Sequence, residues 1–162
     1  MGVTVLAAVS VSVLIVALVW TIWLKPAPYD PLGDYPVQKV TTSIPGVLGP
    51  ATTTDGVVLV TGTKCNNSRS AVTVRGETAW QSIDPRGGMV PLGHAIAHRQ
   101  AGCETRTFAN PVPPEVAEIT ERLGGKVIWR ITGTETPLDR HGHEGVPRTW
   151  VTENFTVISE GS

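Results

Sequence analysis

The chain has 162 residues, with 13 Lys and Arg against 14 Asp and Glu, and 41% of it is hydrophobic while 17% is charged. That length accommodates one domain of ordinary size and not two. The near-neutral balance argues against a nucleic-acid binder, which needs a basic face to neutralise phosphates.

The charges are unevenly placed, since none precedes Lys25. Residues 3–24, VTVLAAVSVSVLIVALVWTIWL, carry no charge, Gly or Pro. As a helix this run spans roughly 33 Å, enough to cross a bilayer core of about 30 Å. Its Thr and Ser hydroxyls can return to the helix backbone. A cleaved signal peptide would instead need a basic leader, a shorter apolar run and small residues before the cut. Here only Met1 and Gly2 precede the run, and it exits through Trp-Leu-Lys-Pro. Residues 1–24 therefore read as an uncleaved transmembrane anchor, with Trp20, Trp23 and Lys25 at the membrane interface. Flanking charge is nearly silent on orientation, with Lys25 set against Asp30 and Asp34.

Residues 25–36, KPAPYDPLGDYP, are rich in proline and read as an extended stalk, with Tyr29 and Tyr35 near the membrane surface. From Val37 the composition turns to Val and Thr broken by turn residues, the pattern of short strands in a domain spanning 37–162. Strands are expected at 37–43, 57–65, 71–83, 89–98, 103–109, 126–132 and 149–158. In 71–83 the inward positions are Val72, Val74 and Trp80, and Gly76 marks a candidate bulge that changes the phase. The stretch 89–98 is a weaker strand or strand pair, interrupted at Pro91 and Gly93. In 103–109 the buried face is open between Cys103, Thr105 and Thr107 on one side and Glu104, Arg106 and Phe108 on the other.

Residues 114–123 form the one helical pattern, with Val116, Ile119 and Leu123 on one face and Gly124-Gly125 as a stop. In 126–132, Val127, Trp129 and Ile131 share a face. In 149–158, Trp150 is out of phase with Val151, Phe155 and Val157, which implies a bulge or a two-sided contact. Residues 44–56 and 135–148 are expected as long loops. Seven strands, one late helical connector and no βαβ rhythm give an all-β fold, an antiparallel β-sandwich with Greek-key-like connections.

Strand count, Trp80 on the third expected strand and the helical turn before the sixth make residues 37–158 resemble immunoglobulin-like ectodomains. The chain also resembles small anchored proteins with one such domain found in actinobacteria and their phages, in its anchor, its Thr/Val/Gly-rich strands and segments such as CETRTFANPVPP and WRITGTETP. No functional residues carry over from that likeness. In such sandwiches the second and fifth strands are antiparallel neighbours. The resemblance thus implies a cross-strand disulfide between Cys65 and Cys103, the alternative being two separate free thiols. Antibody domains join the second and sixth strands instead, so the immunoglobulin label describes architecture and not function. A disulfide belongs to an oxidising compartment, which places the domain outside the cytoplasm and the N-terminus inside.

Signals for chemistry are sparse. His94 and His98 stand at i, i+4, and His141 and His143 flank Gly142; Asp139 or Glu144 would complete a zinc set. No Cys-x-x-Cys or His-Glu-x-x-His accompanies them, so surface histidines are expected, with no metal and no cofactor. The sequence has no Gly-x-Ser-x-Gly elbow and no phosphate-binding loop, which points away from an enzyme. Asn66-Asn67-Ser68 and Asn154-Phe155-Thr156 match the glycosylation sequon, a triplet frequent by chance. Trp80, Trp129 and Trp150 are expected to pack in the core. The loop carrying Arg140, His141, His143, Glu144 and Arg148 is the candidate binding loop, because sandwiches bind through their ends.

The expectation is a non-enzymatic, single-pass protein of the cell membrane, with its C-terminal β-sandwich extracytoplasmic, serving binding or adhesion or modulating an envelope partner; a phage-encoded envelope protein falls within it. Its partners are the lipid bilayer and an unidentified envelope or membrane protein, with no nucleic acid. The alternatives are a structural subunit of a larger membrane or virion assembly, and a metal-dependent surface enzyme.

Overall fold

A computed structural model describes residues 26–160 of the chain. The expected anchor, 1–24, and the interface residues Trp20, Trp23 and Lys25 lie outside the described residues. Among the described residues no helix is long and apolar enough to cross a membrane.

The strands are β1 (Lys39–Val40), β2 (Ala51–Thr53), β3 (Val57–Asn66), β4 (Val72–Ser82), β5 (Met89–Arg99), β6 (Gly102–Pro111), β7 (Lys126–Leu138), β8 (Arg148–Val151) and β9 (Phe155–Ile158). One helix, α1 (Pro114–Arg122), joins β6 to β7. The smaller sheet has the order β1-β3-β6, and the larger has β2-β9-β7-β4-β5, with β8 also on β7. All pairings between these strands are antiparallel except β2 with β9, which is parallel, as is the isolated bridge between Gln38 and Thr152.

Period-2 alternation explains how the two sheets face each other. In β7 the buried side is Val127, Trp129, Ile131, Gly133, Glu135 and Pro137. In β4 it is Val72, Val74 and Trp80, and in β3 Val58 and Val60. Of these, Val58, Val60, Trp80, Val127, Trp129 and Ile131 meet Val116 of α1 and Phe155 and Val157 of β9 in the main core. Trp80 lies at its centre, edge-on to Trp129 at 6.3 Å and to Phe155 at 5.2 Å between ring centroids. Helix α1 begins at Pro114, whose missing N–H costs nothing there, and ends before Gly124, which has φ 103°. Its Thr120 Oγ1 donates to the Val116 carbonyl at 2.8 Å and accepts the Trp129 Nε1–H at 3.2 Å. That contact pins the helix to β7.

Several expectations need correction. The first strand shrinks to Lys39–Val40. The loop 44–56 contains β2, whose parallel bond to β9 makes the sandwich not purely antiparallel. Gly76 marks no bulge. Val72, Val74 and Trp80 are all even-numbered, so no change of phase is needed, and β4 pairs with β7 one to one from Thr73 to Ser82. The irregularity sits on β5, a single strand, where Leu92 has no partner between Pro91, opposite Ala79, and Gly93, opposite Thr78. Strand β7 runs on to Leu138 and takes in the first residues of the expected 135–148 loop. The last expected strand divides, because β8 follows the upper half of β7 and β9 the lower half. The divide at 152–154 also resolves the conflict of phase. Trp150 lies over Gly133, where a Cβ would stand 2.3 Å from the indole.

The proline-rich segment is extended and lies along the domain. Leu32 is buried with Val72 and Val74 in a second apolar cluster. The Gly33 N–H donates to the Cys65 carbonyl at 3.0 Å, and the Val146 N–H donates to the Tyr29 carbonyl at 2.8 Å.

Candidate functional site

Cys65 and Cys103 stand directly opposite each other in the β3–β6 ladder, with Cα atoms 4.0 Å apart, and are joined by a disulfide. The Cys65 carbonyl accepts from Gly33, on the side away from β6, so the two cysteines form a non-hydrogen-bonded pair. Such pairs bring side chains closest, which suits a disulfide.

Beyond the disulfide the sheets part. Among the described residues strand β6 is bonded only to β3 and β5 only to β4. Between them opens a cleft of about 450 Å³, with apolar walls that include Val74, Leu92, Ala97, Phe108, Ile131 and Trp150. Its polar end is a cluster around Glu135, a carboxylate only 3% exposed. Arg99 of β5 donates to Glu135 through Nε at 3.0 Å and through Nη2. Lys64 of β3 donates to Oε1, and the Tyr35 hydroxyl donates to Oε2 at 2.7 Å. The Lys64 ammonium also lies 4.7 Å from the Trp150 ring centroid. Gly76 of β4 is paired with Glu135 in register and puts no side chain on the cleft floor.

Electrostatics follow from burial and pairing. Burial alone would raise the Glu135 pKa, but the Arg99 hydrogen bonds, the Lys64 charge and hydrogen bond and the Tyr35 hydroxyl together lower it to about 2. Desolvation lowers that of Lys64 against the pull of Glu135. Burial, then the bond to Glu135, raises that of Tyr35. Arg99 is held in its charged form by its hydrogen bonds to Glu135. Two cations therefore share one carboxylate. Gln38, 3% exposed, also lines the cleft; its Nε2 has no acceptor among the described residues, and its amide rests where Gly62 leaves out a Cβ. The arrangement offers polar recognition at the end of an apolar slot.

The residues expected to bind are elsewhere and mostly engaged with their own chain. Asp139 organises the tip of the expected binding loop. Its Oδ1 accepts the N–H groups of His141 and His143 at 2.7 and 2.9 Å, and its Oδ2 lies 3.2 Å from His143 Nδ1. Those bonds, the backbone ones first, lower the Asp139 pKa. Arg140 contacts His141. Glu144 pairs with Arg75 at 2.5 Å, and Arg148 pairs with Asp30 at 2.7 Å, fastening the proline-rich segment to β8. The loop thus makes several internal clasps and leaves His141 and His143 exposed. His94 and His98 are exposed on β5, and among the described residues no group of three or more His, Cys, Asp or Glu could hold a metal ion. Asn66 is 1% exposed and its amide is fully used, donating to the Ser70 and Arg99 carbonyls and accepting from Ser68. That sequon is closed to a sugar.

Sequence reasoning missed Tyr35, Gln38, Lys64, Arg99 and Glu135. For two of them the signal was parity: Lys64 continues the inward series Val58, Val60, Gly62, and Glu135 continues Val127, Trp129, Ile131, Gly133.

No family model matches the chain, and no curated protein does. Among solved structures it is similar to a putative late embryogenesis abundant protein, at 13% identity and a TM-score of 0.46, with 98% of this chain and 88% of that one covered. It is also similar to the C-terminal domain of Wzt, at 11% identity and a TM-score of 0.45, with 86% of this chain and 84% of that one covered. Both likenesses are to β-rich domains and concern fold alone.

Proposed function

We propose that this chain is a single-pass membrane protein, held by residues 1–24, which displays an immunoglobulin-like β-sandwich outside the cytoplasm and there binds an envelope partner without performing chemistry. The observation that carries the reading is the Cys65–Cys103 disulfide, set in register between paired strands. A bond of this kind persists in oxidising compartments. Joined to an uncharged run of bilayer-spanning length, it supports a domain facing outward. The immunoglobulin-like reading draws support from the strand order, β1-β3-β6 against β9-β7-β4-β5, with a helix crossing between the sheets from β6 to β7. The cleft between β5 and β6 is the binding surface this reading favours, because a buried polar cluster and apolar walls line the same cavity.

The test is thiol labelling on intact cells that make the full chain. After mild reduction, a membrane-impermeant maleimide should modify Cys65 and Cys103 while a cytoplasmic control thiol stays unmodified. Protection of both cysteines to the same degree as that control would refute the orientation.

A further inference from the structure

Among the described residues two strands border the cleft with one side unpaired, and an unpaired edge is a template for another strand unless something blunts it. Strand β5 is blunted, because Pro91 offers no N–H, Leu92 has no partner and Gly93 turns at φ 98°. Strand β6 is not. It matches β3 residue for residue from Gly102 to Pro111, with no bulge and no proline before its last residue.

The free groups of β6 can be assigned. The carbonyls of Cys65 and Leu59 accept from Gly33 and Thr41, away from β6. In an antiparallel ladder hydrogen-bonded and non-hydrogen-bonded pairs alternate, so Cys103, Thr105, Thr107 and Ala109 direct their N–H and C=O groups to the open edge. All four are exposed. Glu104 and Arg106 bracket Thr105 on the other face, where they form an ion pair at 2.5 Å.

We infer that β6 pairs antiparallel with β6 of a second copy of this chain, Thr105 opposite Thr105, and joins the two smaller sheets into one. In that register Thr105 exchanges both backbone hydrogen bonds with its counterpart. Glu104 faces Arg106 of the second copy, and Arg106 faces Glu104. The ion pair within each chain becomes half of an alternating quartet. Other registers lose this match. A parallel alignment sets Glu104 beside Glu104. Centring on Thr107 sets Arg106 against Phe108, and centring on Cys103 sets Glu104 against Gly102. The contact is isologous and therefore closes at two copies. It goes beyond the proposed binding role and does not depend on which side of the membrane the domain occupies.

The experiment uses the full chain in its membrane with Thr105→Cys introduced. Oxidation should give a disulfide-linked dimer on a non-reducing gel, and peptide mapping should show a 105–105 bond with Cys65–Cys103 intact. Leu48→Cys, on a loop far from β6 in sequence and 98% exposed, is the control for random collision. In the Thr105→Cys background, Glu104→Arg or Arg106→Glu alone should lower the dimer yield about tenfold or more, since each sets like charges opposite one another. The double reversal should restore it. Independently, light scattering of the unaltered chain in mild detergent should give twice its mass of 17.2 kDa. A dimer yield no greater than that of Leu48→Cys, a yield insensitive to charge reversal, or a monomer mass for the unaltered chain would each overturn the inference.

Discussion

Arg99 and Glu135 meet across an intervening strand. Arg99 belongs to β5 and Glu135 to β7, with β4 between them, and the guanidinium reaches the carboxylate with two nitrogens. At the position of β4 opposite Glu135 stands Gly76, which leaves the inner face clear. With Lys64 arriving from β3, a single carboxylate ties β5 and β7 of the larger sheet to the smaller sheet.

Neutralising that carboxylate leaves Lys64 and Arg99 without their shared counter-ion. Glu135→Gln is expected to lower unfolding stability by about 3–5 kcal/mol, the range for removing one partner of a buried pair. Tyr35→Phe, which removes one hydrogen bond, should cost about 1 kcal/mol. Urea denaturation of the full chain in mild detergent measures both. A loss below about 1 kcal/mol for Glu135→Gln would show that the cluster is not structural.

The same carboxylate sets the acid response. Its pKa falls from an ordinary 4.5 to about 2 in the folded chain, so the unfolded chain binds the proton more tightly. The stabilisation is therefore complete above pH 4.5 and is lost as the pH falls toward 2. A shift of this size corresponds to about 3 kcal/mol. Denaturation midpoints of the unaltered chain should drop across that window, and those of Glu135→Gln should drop much less. Equal slopes in the two proteins would assign the acid sensitivity to other carboxylates.

The disulfide joins residues 38 apart in sequence. In the chain-entropy treatment a loop of that length stabilises by about 4 kcal/mol. Replacing both cysteines by Ser should lower the unfolding free energy by about that amount while leaving the strand content of the far-ultraviolet circular dichroism spectrum unchanged. Reduction of the unaltered chain should reproduce the loss.

Gly133 sits under Trp150, and a methyl group there would overlap the indole. Gly133→Ala should destabilise by about 1–3 kcal/mol through overpacking. It should also displace Trp150 from Lys64, seen as a shift in tryptophan emission. Gly46→Ala is a useful contrast. Its site has φ 83° but open space, so its cost comes from the backbone alone and leaves the emission unchanged.

Legibility followed chemistry. Where inward positions are apolar, as at Val127, Trp129 and Ile131 or Val72, Val74 and Trp80, alternation identifies the strand and its buried face. The same alternation runs on through Gly133, Glu135 and Pro137, but residues of those types read as loop, which hides the upper half of β7 and its carboxylate. Nothing local marks β2, because a three-residue strand pairing in parallel with β9, a hundred positions away, has no turn signal of its own. The cysteine pairing was readable through the resemblance, since only the two strands concerned carry cysteine. In the expected binding loop Glu144 and Arg148 look free in sequence yet find Arg75 and Asp30, partners that no local pattern marks.

The span closed by Cys65 and Cys103 encloses all of β4 and β5, together with the exposed turn at Arg86. A protease that cuts after Arg86 therefore severs the backbone without releasing a fragment. The two pieces remain one covalent molecule, each still hydrogen-bonded into both sheets. Nicked chains migrate with intact ones until a reductant is added, so wear at this turn leaves both pieces in one folded domain.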